Sequence, residues 1–101
     1  MKMNREKLET LAKDLRREDP RPAHQKMAGF EMAARTLDKC RAILLGMEGD
    51  FRFGCPMDQE FFREAGIDQR EFEAFVADGA SDDEVARWLQ EQSSPSANRH
   101  G

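Results

Sequence analysis

Three observations predict a mostly α-helical domain, a compact small bundle of about five helices. Apolar residues recur at three- and four-residue spacing in several stretches. Two capping-box patterns open helices in the C-terminal third. Glycines and prolines fall where helices should start and stop. A chain of 101 residues makes one domain rather than two. It is expected over residues 1–92, with a disordered polar tail over 93–101.

Leu8, Leu11, Ala12 and Leu15 set a first helix over 4–18, with Asn4 as its N-cap and Arg16-Arg17 suiting its C-terminal end. That helix either packs on the core or stands as an arm. Asp19-Pro20-Arg21-Pro22 ends it, because a proline disfavours a helical residue before it. Residues 19–29 then form an extended connector to a core over 30–92. A second helix is expected over 30–45, with Gly46 as its stop. The segment 47–54 is turn-rich, and Phe51-Arg52-Phe53 admits at most a very short β segment. Pro56 fits the first position of a third helix, lined by Phe61, Phe62 and Ala65 and closed by Gly66. Asp68-Gln69-Arg70-Glu71 caps a fourth helix carrying Phe72, Phe75 and Val76. Ser81-Asp82-Asp83-Glu84 caps a fifth carrying Val85, Trp88 and Leu89.

Composition and charge exclude several classes. The longest apolar run, residues 42–45, is far below the ~20 residues of a membrane helix. Met1-Lys2-Met3-Asn4-Arg5 lacks the apolar stretch of a secretory leader, so a cytoplasmic protein is expected. Two cysteines make no disulfide framework, and no Cys/His spacing suits zinc; neither metal nor cofactor is expected. Residues 1–22 carry a net +2, residues 23–55 a net +1 and residues 56–92 a net −8. The acidic part repels phosphate, which disfavours a nucleic-acid binder. The opposite signs suit either two halves lying against each other or a partner with a basic patch.

Candidate site residues come from two places. Projected at 100° per residue, the 30–45 helix is apolar over more than half its circumference, so it belongs at the centre of the fold. Glu31, Arg35, Lys39 and Ala42 fall on the opposite side, with Asp38 at the border. Arg41 falls in the middle of the apolar arc. A guanidinium there cannot shed its charge, so it needs a carboxylate, carbonyls or an anionic ligand. Asp38 reaches it along the helix, and Asp58 is the long-range candidate. Arg41 is thus either one half of an internal ion pair or an anion-binding residue. Cys55 precedes Pro56 at a helix N-terminus, whose free amides and dipole favour a thiolate. It is either a reactive thiol or a small packed residue. A histidine partner would have to be His24, folded over from the connector. Cys40 lies on the buried arc and reads as core.

Taken together, Leu37-Asp38-Lys39-Cys40-Arg41-Ala42, Gly49-Asp50-Phe51, Cys55-Pro56-Met57-Asp58-Gln59, Gly66-Ile67-Asp68 and Ser81-Asp82-Asp83-Glu84-Val85 with Trp88-Leu89 resemble a family of short bacterial proteins, domain of unknown function 5069. The resemblance spans about residues 14–90. The Arg41, Cys55, Pro56, Asp58 and Gln59 positions match its pattern. Cys40 departs from it, since the family reads Asp-Lys-Ala-Arg there, which argues against a role for that thiol. The resemblance implies a shared fold and brings no assigned activity, cofactor or catalytic residue.

The expected function is a non-enzymatic binding module, meeting a protein partner or a second copy through the turn at 47–58. The competing class is a small-anion binder or thiol-dependent enzyme using Arg41, Asp58 and Cys55, with Asp38 beside them.

Overall fold

The structure, a computed structural model, describes residues 2–93. Asn4 opens the first helix as expected, its side-chain oxygen accepting from the Lys7 N–H at 3.2 Å. Helix α1, Arg5–Leu11, is shorter than the 4–18 expected. Ala12 is extended, and Asp14 then starts a turn of its own. Its carboxylate accepts from the Arg16 N–H at 3.0 Å and the Arg16 Nε at 2.9 Å, and its carbonyl accepts from Arg17 and Glu18. A short side chain bonding nearby amides competes with the helix, and here it wins. The Arg16 hydrogen bond holds the partly exposed Asp14 carboxyl down at about 2. The break turns Leu15 inward, where its N–H meets Met47 O at 2.9 Å. Leu8 lies fully buried in the main apolar cluster, so α1 packs on the core and is no arm.

The connector makes a tight turn, bridged in antiparallel fashion between Met27 and Phe30. Its central residues Ala28 and Gly29 both have positive φ, 56° and 85°, as a type I′ turn requires. Met32 is also left-handed, at φ 73°. A helix cannot run through these residues, so α2 begins at Ala33 rather than at 30 and spans Ala33–Leu44. Gly46, at φ 72°, follows its end as expected.

Helix α2 is wrapped almost completely. From Ala33 to Ala42 only Arg35 is more than marginally exposed. Lys39 and Ala42, which the projection placed outward, are buried, whereas Ile43 is 40% exposed. The projection assumes one solvent face, but the 54–58 segment closes over Lys39 and the connector over Asp38. The short strand admitted over 51–53 does not form; these residues lie in irregular backbone and turn. Phe53 packs on the core instead, edge-on to Phe62 and stacked with Phe72. Phe51 lies under the Arg35 guanidinium, 5.7 Å from ring centre.

Helix α3, Pro56–Ala65, has proline at its first turn and left-handed Gly66 as its cap. Helix α4, Gln69–Ala77, has both halves of the Asp68/Glu71 capping box. Helix α5, Asp82–Ser93, has the Ser81/Glu84 box, with Glu84 N–H donating to Ser81 Oγ and Ser81 N–H to Glu84 Oε1. Helix α2 packs on α4, and α3 on α5. Phe72 sits at the centre, its ring 5.5–6.3 Å from those of Phe53, Phe61, Phe62 and Trp88. The tail expected over 93–101 lies, from residue 94 on, outside the described residues. No helix among the described residues is long and apolar enough to cross a membrane.

Candidate functional site

Two groups of buried charge flank α2. The first is closed. Asp58, fully buried in the first turn of α3, faces the Lys39 ammonium at 2.9 Å, and Lys39 is itself only 5% exposed at its side chain. Thr36 Oγ1, one helical turn before Lys39, donates to Asp58 Oδ1 at 2.7 Å. The Gly54 N–H donates to Asp58 Oδ2 at 2.8 Å. A carboxylate removed from water needs this many donors to keep its charge. Gly54 is left-handed at φ 89°, and a Cβ there would lie 2.9 Å from Gln69 Nε2. Glycine therefore lets the turn aim its amide at Asp58 while Gln59 bridges Gly54 O and Gln69 Oε1.

Cys55 is the N-cap residue of α3, half-buried, and its Sγ lies 3.5 Å from Lys39 Nζ. Its cationic neighbour is thus Lys39. His24 is exposed and lines a separate cleft with Met57, Glu60 and Glu64. Cys40 is fully buried, and burial pushes its thiol well above the ordinary range, as suits a core residue. Both cysteines are free thiols.

The second group is a chain of four charges. Arg41 is 3% exposed, as its place on the apolar arc predicts. Its expected partners are both engaged elsewhere, Asp58 with Lys39 and Asp38 with Arg21. Arg41 instead reaches the first residue of α5: Nη1 lies 3.0 Å from Asp82 Oδ1, and Nη2 donates to Ala80 O at 3.0 Å. Arg21 bridges the two carboxylates. It donates through Nη1 to Asp82 Oδ2 at 2.8 Å, through Nη2 to Asp38 Oδ1 at 2.9 Å, and through its backbone N–H to Asp38 Oδ2 at 2.8 Å. The Asp82 side chain remains 45% exposed.

Burial works against three of these charges, with different outcomes. It pulls Arg41 below its ordinary range, and Asp82 only partly offsets it; the guanidinium remains charged at neutral pH. For Arg21, hydrogen bonds to Asp38 and Asp82 outweigh burial and raise the pKa. For Asp82, Arg21 and then Arg41 outweigh burial and hold the carboxyl below its ordinary value. Arg41 Nε is a buried donor without a hydrogen-bond partner.

The four sequence candidates therefore fall into two separate groups. Cys55 and Asp58 share the first and Arg41 and Asp38 the second, and the clefts lined by Phe75, Gln59, His24, Asn4 and Arg87 include none of them. Lys39, Thr36, Arg21 and Asp82 were missed. Thr36 and Lys39 lie three apart on one helix face, a spacing that could have placed them together. Arg21 is held between two prolines, which marks a backbone built for a fixed position. No group of three or more His, Cys, Asp or Glu side chains among the described residues is placed to hold a metal ion.

Fold and site define a small helical domain that keeps several ionised side chains inside, each held by a named partner. Residues 17–100 match the family model described as domain of unknown function, DUF5069, and the chain belongs to that family. No curated protein matches the sequence.

Proposed function

We propose that this domain is a non-enzymatic binding module of the bacterial cytoplasm, a rigid helical scaffold that meets a protein partner through its surface. One observation carries the reading: the charged groups that sequence chemistry singled out are spent on internal partners. Both oxygens of Asp58 and both of Asp38 accept internal hydrogen bonds, and both terminal nitrogens of Arg41 are engaged. The two free thiols suit a reducing compartment, and the family resemblance supports a bacterial host. Within 47–58, Phe53 is packed on the core and Phe51 covered by Arg35, which leaves Met57, 55% exposed, as that turn's open apolar side chain.

The test is quantitative affinity capture from the native host, with an unrelated acidic helical domain as control. The reading expects one or more proteins enriched at constant ratio to the bait. Recovery of small molecules alone would overturn it.

A second reading, a thiol-dependent activity, is favoured by the 3.5 Å approach of Lys39 Nζ to Cys55 Sγ at a helix N-cap. Reactive cysteines sit in electropositive, partly exposed surroundings of this kind. Iodoacetamide alkylation of the native protein at pH 6–7 tests it. Labelling of Cys55 much faster than glutathione, slowed in Lys39→Met, supports the activity, and labelling at the glutathione rate removes it.

A further inference from the structure

We propose that the Phe75–Trp88 face of α4 and α5 is the docking surface, and that it takes an arginine- or lysine-bearing segment of a protein partner. The inference rests on the binding-module reading and adds its place and chemistry. The two rings stack in parallel, with centroids 4.7 Å apart and planes 10° from each other, and both are only partly buried. They line two adjoining clefts of about 620 and 220 Å³. An aromatic face attracts a cation through its quadrupole.

Charge completes the case. Of the eleven carboxylates in residues 56–92, Asp58 and Asp82 are engaged by internal cations. The rest give the outer surface of α3–α5 its negative sign. Glu71 and Asp78 line the larger cleft beside Lys2, and Glu84 and Glu91 line the smaller beside Arg87; Lys7 also acts on Glu84. Carboxylates thus outnumber cations around the rings. Two of them sit at the C-terminal ends of their own helices. Asp78 caps the C-terminus of α4, and Glu91 lies in the last turn of α5. A negative charge there opposes the helix dipole. Asp78 also lines a cleft with Lys2, Asn4 and Arg5 at the start of α1, and both carboxylates add negative charge beside the rings.

Trp88 is the only tryptophan, so its emission reads the site directly. The probe is N-acetyl-hexaarginine amide, titrated into the full chain at low and high salt, with hexaglutamate as control. The expected result is a saturable change in Trp88 emission with hexaarginine alone, weakened by salt. Phe75→Ala should weaken binding roughly two- to fivefold, as for an exposed cation–π contact. The double substitution Asp78→Asn, Glu91→Gln should weaken binding without lowering the melting temperature, which separates docking from a role in folding. No response to hexaarginine, or an equal response to hexaglutamate, overturns the proposal. So does protein self-association abolished by Phe75→Ala, which would assign the face to a second copy. If hexaarginine fails while capture persists in Phe75→Ala, the module reading stands and this face is wrong. If hexaarginine binds but capture returns no protein, the module reading fails and the cation site stands.

Discussion

Lys39 and Arg41 lie two residues apart on α2 and are almost equally hidden, at 4% and 3% exposure, yet they live in different electrostatic worlds. Lys39 faces Asp58, which has no contact with water at all. Arg41 faces Asp82, which is nearly half open to solvent and shared with Arg21. In the first place, removing either charge strands the other in the interior. In the second, the surviving carboxylate keeps both water and another cation. Burial of one residue therefore says little about the value of its ion pair; the exposure of the partner decides it.

The same substitution at the two positions should break this comparison if it is wrong. Lys39→Met strands Asp58 and should cost about 3–5 kcal/mol by urea denaturation, the range for an orphaned buried charge. Replacing both, as Lys39→Met with Asp58→Leu, should recover most of that loss. Arg41→Met fits an apolar arc, removes an unpartnered Nε donor and leaves Asp82 with Arg21, so it should change stability by less than about 1 kcal/mol. Equal losses at the two sites would refute the distinction.

Acid sharpens the contrast. The Asp82 carboxyl is held below its ordinary value of 3.8 in the folded protein. Its contribution is therefore complete above about pH 4 and is lost as pH falls through the depressed folded value. Asp82→Asn should be less stable than the parent at pH 7, and the gap should narrow below pH 4 in parallel melts. A gap that stays constant to pH 2 would mean that the charge of Asp82 contributes nothing. Smaller effects follow at the caps and turns that frame both groups. Ser81→Ala removes the acceptor for the Glu84 amide at the start of α5 and should cost about 1 kcal/mol. Ala28→Gly relieves a left-handed alanine at φ 56° and should gain roughly 0.5 kcal/mol, read from the urea midpoint.

Local rules carried much of the fold. The Asn4 cap, Pro56 at the start of α3, the stops at Gly46 and Gly66 and both capping boxes depend on neighbours within a few residues. They were legible for that reason. The buried Arg41 was legible too, because a helix projection needs only spacing. Its partner was not, since Asp82 is forty-one positions away and had already been accounted for as part of a cap. Lys39 was misplaced because the projection allots solvent to one side of every helix, and α2 has covering chain around nearly all of it. The break after Leu11 turned on whether Asp14 bonds the next amides or lets the helix continue, a balance that the inward turn of Leu15 tips. Phe51 and Phe53 read as a strand pattern, but a strand needs a neighbour to pair with, and their rings found Arg35 and the Phe62–Phe72 cluster instead.

Under the proposed function the interior charges hold the fold and the outer surface carries recognition. Quantitative partner capture by the doubly substituted chain Arg41→Met, Cys55→Ser, measured against the parent at matched folded concentration, tests that assignment most directly. Recovery of the same proteins in the same yield is the predicted result. Loss of capture by a variant that melts like the parent would contradict it and move the function into the helix interior.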